Sequence, residues 1–354
     1  MKAFHPNKLP QKFDYSIFAR ELSRASFEIG KLDIQKKLPN PQLLIAPLTL
    51  KEATTSSKIE GTRSTVSDVA RLEAGIETKY ADTKEVLNYR RAMLWAIKSF
   101  SEKRPLSLAF MKELHDILLD KTRGYTKKGK FRTEQVFIGD LGVDISKATY
   151  IPPEPIFIQD YMENLEKYII KTRDDNLVKA AIIHYQFEAI HPFSDGNGRI
   201  GRLLIPLFLF QKNTLFQPIL YLSGYFDENR TEYLKALHRV DTTRNYEGWV
   251  KFFLRAVAKQ SKETIKLVNQ IDALLTKVDQ KTDTISSSYT RKFTNFIFTR
   301  PIFTSKDVVK SLKVDRMTAS RLIKKYHSLK IVKLVKSNSP KKNIYVFDEL
   351  LVLL

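Results

Sequence analysis

The sequence has no cysteine in its 354 residues. Disulfide bridges, thiolate metal sites and a cysteine nucleophile are therefore excluded, and a metal ion would need oxygen or imidazole ligands. No uninterrupted apolar run reaches the roughly 18 residues that a membrane span requires. The first residues also lack the apolar core and cleavage site of a signal peptide. We therefore expect a soluble, cytoplasmic protein without a membrane partner.

Acidic residues are few relative to basic ones. The chain has 39 Asp and Glu against 60 Lys and Arg, a formal net charge of +21. Such a charge attracts polyanions, including nucleic acids and nucleotides. It names no partner, because a lysine-rich proteome gives the same surplus to proteins that bind neither.

Most of the chain has the apolar spacing of helices. Apolar residues recur every three or four positions over 15–36 and 47–100, and we expect helices there. The stretch 177–210 is apolar almost all round and is interrupted by a polar insert, which predicts two buried helices that flank a loop. Two β-prone runs set among glycines, 135–138 and 148–151, predict a hairpin between these helical regions.

The C-terminal part has the pattern of a separate, basic unit. A helical region over 228–267 is followed by a polar, serine-rich stretch, 277–288, that predicts a linker. Two short helices, 305–312 and 318–329, and two strands within 331–347 then follow in the order of a winged helix-turn-helix. The candidate phosphate contacts of this unit are Arg316, Arg321, Lys324, Lys325, Lys336, Lys341 and Lys342. DNA binding and protein docking both remain open for it, because the same fold serves either purpose.

The polar insert between the two buried helices carries the residues of a phosphate site. It reads HPFSDGNGRIGR from His191 to Arg202. Gly196 and Gly198 allow backbone conformations in which successive N–H groups point at one anion, and the N-terminus of the next helix attracts negative charge. Arginines 199 and 202 lie on one helix face, where they can bind phosphate oxygens. Asp195 suits Mg²⁺, and His191 can accept a proton near neutral pH.

This insert matches the signature HxFx(D/E)GNGRxxR, and the sequence therefore resembles the Fic family. The resemblance implies a mainly α-helical core with a small β-hairpin flap, which transfers AMP from ATP to a Tyr, Thr or Ser hydroxyl of a protein. His191 would be the general base, Phe193 would anchor the loop, and Asp195 would hold Mg²⁺, with Mn²⁺ as an alternative. The phosphate-binding residues implied are Gly196, Asn197, Gly198, Arg199 and Arg202.

Two further segments resemble parts of the same family. The residues Val136, Phe137, Ile138 and Gly139, after Phe131-Arg132 and before Tyr150, look like the flap that docks a target segment by strand addition. The segment from Leu222 to Tyr233 resembles the family's adenine-side region, which implies that Tyr225 and Asn229 contact ATP.

A third motif, SSKIEG at residues 56–61, resembles the (S/T)xxxE(G/N) pattern of Fic proteins with an inhibitory helix. Ser56 and Glu60 lie four apart and share one helix face, and Gly61 is suited to end that helix. A glutamate that reaches Arg202 would pair with the guanidinium meant for the γ-phosphate. The resemblance therefore implies that Glu60 inhibits the enzyme and that Ser56 lies on the ATP side.

We expect four regions along the sequence. Two functions remain possible for the whole protein. The first function is AMP transfer, including transfer to the protein itself, with another donor or AMP removal as variants. The second is a DNA-binding regulator whose Fic domain senses nucleotide, and the oligomeric state, including a homodimer, is left open. The expected regions are an inhibitory helical part (1–85), a catalytic core (86–262), a helix and linker (263–288) and a winged helix-turn-helix unit (289–354).

Overall fold

The computed structural model describes residues 2–33, 42–122, 125–139, 144–336 and 343–354. Within these ranges the chain is mostly helical, as the sequence predicts. None of the helices in these ranges has both the length and the apolarity to cross a bilayer. The helices are α1 (Ala19–Asp33), α2 (Gln42–Ile59), α3 (Val66–Glu73), α4 (Thr83–Ser101), α5 (Leu108–Leu118), α6 (Pro155–Lys171), α7 (Asn176–Ile190), α8 (Asn197–Gln211), α9 (Ser223–Glu228), α10 (Arg230–Thr243), α11 (Glu247–Thr282), α12 (Thr290–Thr299), α13 (Ser305–Leu312), α14 (Arg316–Ser328) and α15 (Asp348–Leu353).

Helices α7 and α8 form the centre of the molecule and pack against each other. Both are apolar on nearly every face and are buried along most of their length, which is the burial that their sequence predicts. Asp175 starts α7 by accepting hydrogen bonds from the backbone N–H groups of Leu177 and Val178. The chain leaves α7 at His191 and enters α8 after Gly196, so the polar insert lies between two buried helix ends.

The N-terminal and C-terminal helices cover this pair. Helix α1 packs along α11, and α2 packs against α4 and α9. The predicted helical region over 47–100 is divided into three helices, because Gly61 has a left-handed φ of 90° after α2 and Gly75 has a φ of 69° after α3. The end of α2 lies against the insert, where Glu60 contacts Arg202.

A small antiparallel sheet lies in the C-terminal part. Its strands are β1 (Ile302–Thr304), β2 (Lys333–Lys336) and β3 (Asn343–Val346), in the order β1-β3-β2. Ile302 and Lys333 both pair with Val346, one from each side. Helices α13 and α14 precede the two-stranded part, joined by a turn in which Lys313 has a φ of 54°. The assignment of this unit as a winged helix-turn-helix stays a prediction.

The structure corrects two details of the sequence prediction. The expected hairpin is reduced, within the described residues, to one bridge between Ile138 and Tyr150. The chain leaves the ladder at once because Pro152 and Pro153 have no N–H to donate. The linker predicted over 277–288 is helical as far as Thr282, because Val278 and Thr282 of α11 are buried.

Candidate active site

The insert is held by its own side chains and by one aromatic contact. His191 ends α7 with a left-handed φ of 50°, and Gly196 precedes α8 with a φ of 77°. Between them Phe193 is fully buried and stacks on His115 at 3.8 Å between ring centroids. The Asn197 side chain accepts from the N–H of Phe193 and donates to its carbonyl, both at 2.8 Å. The amide of Asn197 therefore fixes the loop, which leaves backbone N–H groups as the donors for an anion.

His191 has the protonation state that a general base needs. Burial lowers the pKa of His191 to about 4, and the positive charge of Arg132 acts in the same direction. The imidazole is therefore neutral at physiological pH and can accept a proton. The sequence predicts this role for His191, and the fold places the ring where α7 meets the insert.

Arg199 and Asp195 form one charged group at the start of α8. Arg199 donates from Nη1 to Glu85 at 2.8 Å and from Nη2 to Oδ1 of Asp195 at 3.4 Å. Oδ1 of Asp195 also accepts from the N–H of Gly196 at 2.6 Å, and the side chain is about a third exposed. Glu85 was not predicted, because it lies more than a hundred residues from the insert and no local pattern marks it.

Asp195 fits a magnesium ion that is shared with a nucleotide. The described residues contain no group of three or more His, Cys, Asp or Glu side chains with the geometry of a metal site. A protein-only cage is therefore absent from the described ranges, whereas Mg²⁺ often takes one or two carboxylates and completes its shell with phosphate oxygens and water. The outward-facing carboxylate of Asp195 meets that requirement.

Arg202 joins the insert to helix α2. Its guanidinium is buried, and it donates from Nε to the hydroxyl of Ser56 at 2.8 Å and from Nη2 to Glu60 at 2.5 Å. Nη2 also donates to the backbone carbonyl of Ser56 at 3.0 Å. Desolvation raises the pKa of Glu60, but the charge and hydrogen bond of Arg202 outweigh it and hold that pKa below its ordinary value. Glu60 is therefore an ionised partner for Arg202.

Gly198 leaves the space that Glu60 occupies. A Cβ atom at this position would overlap Oε1 of Glu60 and come within 2.9 Å of Arg202 Nη1. The glutamate carboxylate therefore lies directly against the first turn of α8, where the sequence places the phosphates. Glu60 and Arg202 meet as the sequence predicts, and Ser56, which was predicted to lie on the ATP side, also binds Arg202.

A buried carboxyl group that was not predicted, that of Glu52, lies on α2 one helical turn before Ser56. Glu52 accepts hydrogen bonds from the Tyr89 hydroxyl at 2.9 Å and the Ser223 hydroxyl at 2.5 Å. Burial raises its pKa to about 7. On the outer face, Lys58 pairs with Asp227 at 2.7 Å. The spacing of Glu52, four residues before Ser56 and eight before Glu60, was the available sequence signal.

The flap residues are attached to the insert by Arg132. This buried side chain donates to the carbonyls of His191 at 2.9 Å, Glu134 at 3.1 Å and Pro153 at 2.5 Å. Its own N–H donates to the carbonyl of Pro192 at 2.9 Å. The predicted flap residues lie beyond it: Val136 is half-buried, and Phe137, Ile138 and Gly139 are exposed.

Tyr225 and Asn229 lie in a different place from the rest of the predicted site. They line a surface cleft of about 610 Å³ whose walls include none of the residues from His191 to Arg202. Contact of these two residues with an adenine ring stays a prediction.

The fold and the site define a protein with a polar loop between two buried helices and a glutamate from the end of a third helix packed against that loop. Residues 105–209 match the Fic/DOC family and residues 19–98 match the Fic/DOC family N-terminal region. The chain belongs to the Fic/DOC family.

Several named proteins are similar to this chain. The protein adenylyltransferase fic-1 of Caenorhabditis briggsae is 32% identical over 167 residues, which are 47% of this chain and 29% of that protein. The protein adenylyltransferase Fic of Nematostella vectensis is 27% identical over 222 residues, 59% of this chain and 46% of that protein. The chain therefore spans less than half the length of these curated relatives.

Solved structures show the same fold. A Fic family protein from Desulfovibrio desulfuricans G20 aligns with a TM-score of 0.60 and 19% identity, over 97% of this chain and 98% of that one. A fragment of Caenorhabditis elegans Fic-1 (residues 134–508) aligns with a TM-score of 0.58 and 21% identity, over 72% of this chain and 73% of the fragment. At these identities the likeness concerns the fold alone.

Proposed function

We propose that this protein transfers AMP from ATP to a Tyr, Thr or Ser hydroxyl of a protein, including itself, and that Glu60 restrains it. The observation that carries the proposal is the position of Glu60, whose carboxylate occupies the first turn of α8 and pairs with Arg202. An anionic side chain there supports an anionic ligand as the natural occupant. The names of the relatives, protein adenylyltransferases, support ATP as that ligand.

The residues of the insert have distinct roles in this reaction. The target hydroxyl attacks the α-phosphorus while the bond to the β-phosphate oxygen breaks, and pyrophosphate leaves. Neutral His191 accepts the hydroxyl proton. The backbone N–H groups at the start of α8 and the guanidinium groups of Arg199 and Arg202 hold the phosphates in line, so positioning supplies much of the rate. Mg²⁺ held by Asp195 would neutralise phosphate charge when bound.

Glu60 inhibits by charge and by occupancy. Its carboxylate neutralises Arg202, and it repels the phosphate tail of ATP from the same place. Ser56 holds Arg202 through two more hydrogen bonds, so the arginine is turned toward α2. The exposed edge near Ile138 is the place where a target segment would add as a strand.

The test uses wild-type protein, Glu60→Gly and Glu60→Gly/His191→Ala with α-³²P-ATP and Mg²⁺, followed by a denaturing gel. We expect weak self-labelling of the wild type, at least about tenfold more in Glu60→Gly, and none when His191 is also replaced. Glu77→Gly, at an exposed glutamate outside the helices, is the matched control and should label like wild type. Label from γ-³²P-ATP and not from α-³²P-ATP would show that the protein transfers phosphate and not AMP.

A second candidate function, DNA binding by the C-terminal unit, is favoured by the surface of α14. Arg316, Arg321, Lys324 and Lys325 are exposed there, and none forms an ion pair with any residue in the described ranges. Unpaired cations along one helix are suited to phosphates of a duplex. Lys336 ends β2, and the other two predicted cations, Lys341 and Lys342, lie outside the described residues.

A further inference from the structure

Basic side chains line a cleft beside α9, on the side of that helix away from α2. It has a volume of about 610 Å³ and lies between α1, α9 and α11. That volume is within the range of small-molecule sites. The charged residues that line it are Arg20, Arg24, Arg255, Lys259 and Lys262, against the two carboxylates Glu21 and Glu228.

Part of this charge has no ion-pair partner among the residues that the structure describes. The three cations on α11 each have an acidic partner: Arg255 pairs with Glu232 at 3.7 Å, Lys259 with Glu263 at 3.1 Å and Lys262 with Glu28 at 3.5 Å. Arg20 and Arg24 of α1 form no ion pair within the described ranges, and Glu21, which follows Arg20 in the chain, pairs with Lys251 at 3.6 Å. Like charges that face each other across a concave surface repel, because the low-dielectric walls focus their fields.

The two helices that carry the cations, α1 and α11, are packed tightly against each other. Helix α1 packs along α11 with Ala25, Ile29 and Leu32 buried, so the two rows of cations cannot move apart without exposing apolar surface. An anion that bridges the rows would relieve this repulsion. The cation surplus of the whole chain does not account for this arrangement, because a surplus alone would favour cations spread apart on the surface.

We propose that this cleft binds a small anion with two or more phosphate groups. Arg20 and Arg24 lie four apart on one face of α1, and their planar guanidinium groups can each take two phosphate oxygens. Tyr225 contributes a half-buried ring at the opposite wall, and Asn229 an amide. Inorganic polyphosphates and phosphorylated nucleosides share the required chemistry, and the ring of Tyr225 is the group that distinguishes them.

The position of the cleft links it to the inhibitory helix. Helix α9 has six residues, and its two sides have different contacts. Ser223 and Asp227 hold α2 through Glu52 and Lys58. Tyr225 and Glu228, with Asn229 just after the helix, line the cleft. An anion that orders α9 therefore strengthens its hold on α2, and with it the contact of Glu60 with Arg202. This consequence rests on the proposed function; the binding site does not.

The first experiment measures binding by calorimetry at fixed ionic strength, with inorganic triphosphate as the probe. Arg20→Gln/Arg24→Gln should weaken the cleft affinity by about tenfold or more, because charge-assisted hydrogen bonds to phosphate are lost. Lys167→Gln/Lys171→Gln, an exposed pair with the same spacing and charge change on α6, should bind as wild type does. Equal affinity of wild type and Arg20→Gln/Arg24→Gln would overturn the proposal.

A second titration identifies the source of the phosphates. If a nucleoside triphosphate binds the cleft more tightly than inorganic triphosphate, and Tyr225→Leu removes that difference, the ligand is a nucleotide. If the two probes bind equally, the ligand is an inorganic polyphosphate. Any binding in the insert remains in Arg20→Gln/Arg24→Gln and serves as an internal reference.

Hydrogen exchange tests the link to the inhibitory helix without any turnover of ATP. Saturating triphosphate should slow amide exchange over residues 50–60 of wild type by about threefold or more, and should not do so in Arg20→Gln/Arg24→Gln. Binding with unchanged exchange in α2 would refute the link. Both measurements are independent of AMP transfer, so a failed labelling experiment would leave them valid.

Discussion

Glu52 is a carboxyl that folding takes out of water, and this makes stability depend on pH. Its pKa rises to about 7 in the folded protein, from 4.5 as its ordinary value. Below the ordinary pKa both states carry the proton, so there is no cost. As pH rises toward 7, the unfolded chain ionises first, and folding is penalised by roughly 3 kcal/mol at most.

Glu52→Gln should remove this dependence while it keeps an oxygen for the Tyr89 and Ser223 hydroxyls. Between pH 5 and pH 7.5 the wild type should lose roughly 2 to 3 kcal/mol of unfolding free energy relative to Glu52→Gln. Urea unfolding followed by tryptophan fluorescence measures this difference. Glu77→Gln, at an exposed site, should show no such trend. A constant difference across that pH range would contradict the buried state of Glu52.

The residues of the insert and the pairing of Glu60 with Arg202 follow from the sequence, whereas the partner of Arg199 does not. His191, Asp195 and Arg202 lie within twelve consecutive positions, so one motif identifies them together. Glu85 reaches Arg199 from 114 positions away. Such pairings depend on how whole helices pack, and single-sequence periodicity carries no information about that. Tyr225 and Asn229 line the cleft beside α9, and their contact with ATP stays a prediction from the resemblance.

At the scale of elements, Arg132 fixes the predicted flap relative to His191, the proposed general base. Its guanidinium group donates hydrogen bonds to three carbonyls, those of His191, Glu134 and Pro153. Lysine carries a single ammonium group and cannot reach all three. In a Glu60→Gly background, Arg132→Lys should lower AMP transfer by about tenfold or more, because a small misplacement of His191 is costly. Unfolding free energy should fall by about 1 to 3 kcal/mol.

Labelling rates and urea unfolding of the same preparations measure both effects. Arg63→Lys makes the same chemical change at an exposed arginine and should alter neither. Because Arg132 acts by positioning, adding high ATP should not restore the rate. A rate that recovers fully at high ATP would show that Arg132 acts through nucleotide affinity instead.

Helices were the elements that the sequence predicts best, and short strands the worst. Long buried helices such as α7 and α8 have many apolar residues in phase, so their pattern is unambiguous. The three-residue strand β1 was missed because it has too few residues to show alternation. The end of α11 was misjudged as a linker, since its polar composition conceals a narrow buried face.

At the scale of the whole molecule, the C-terminal unit packs against α2, the helix that precedes Glu60. Helix α12 packs against α2, and α15 packs against α11. Arg90 of α4 joins the parts, because its Nη2 donates to Ala46 of α2 and to Thr299 of α12, each at 3.4 Å, while Nη1 pairs with Glu73. A ligand that moves the C-terminal unit would therefore act on the helix that carries Glu60.

The exposed face of α14 leads to a quantitative prediction for DNA. Arg321 and Lys324 lie three apart and point to solvent, while Asp315 caps the helix by accepting from the N–H groups of Met317 and Thr318. If both cations bind phosphates, the slope of log affinity against log salt should become shallower by roughly 1.8 in Arg321→Gln/Lys324→Gln, about 0.9 for each lost contact. Fluorescence anisotropy with a labelled duplex, at several salt concentrations, gives that slope.

The control for this measurement must change the net charge equally at another place. Lys167→Gln/Lys171→Gln on α6 does so, and it should leave the slope as it is in wild type. Equal slopes for all three proteins would mean that DNA binds the molecule through its general positive charge. In that case α14 is not the binding face, and the exposed cations of the C-terminal unit would serve a protein partner with an acidic surface.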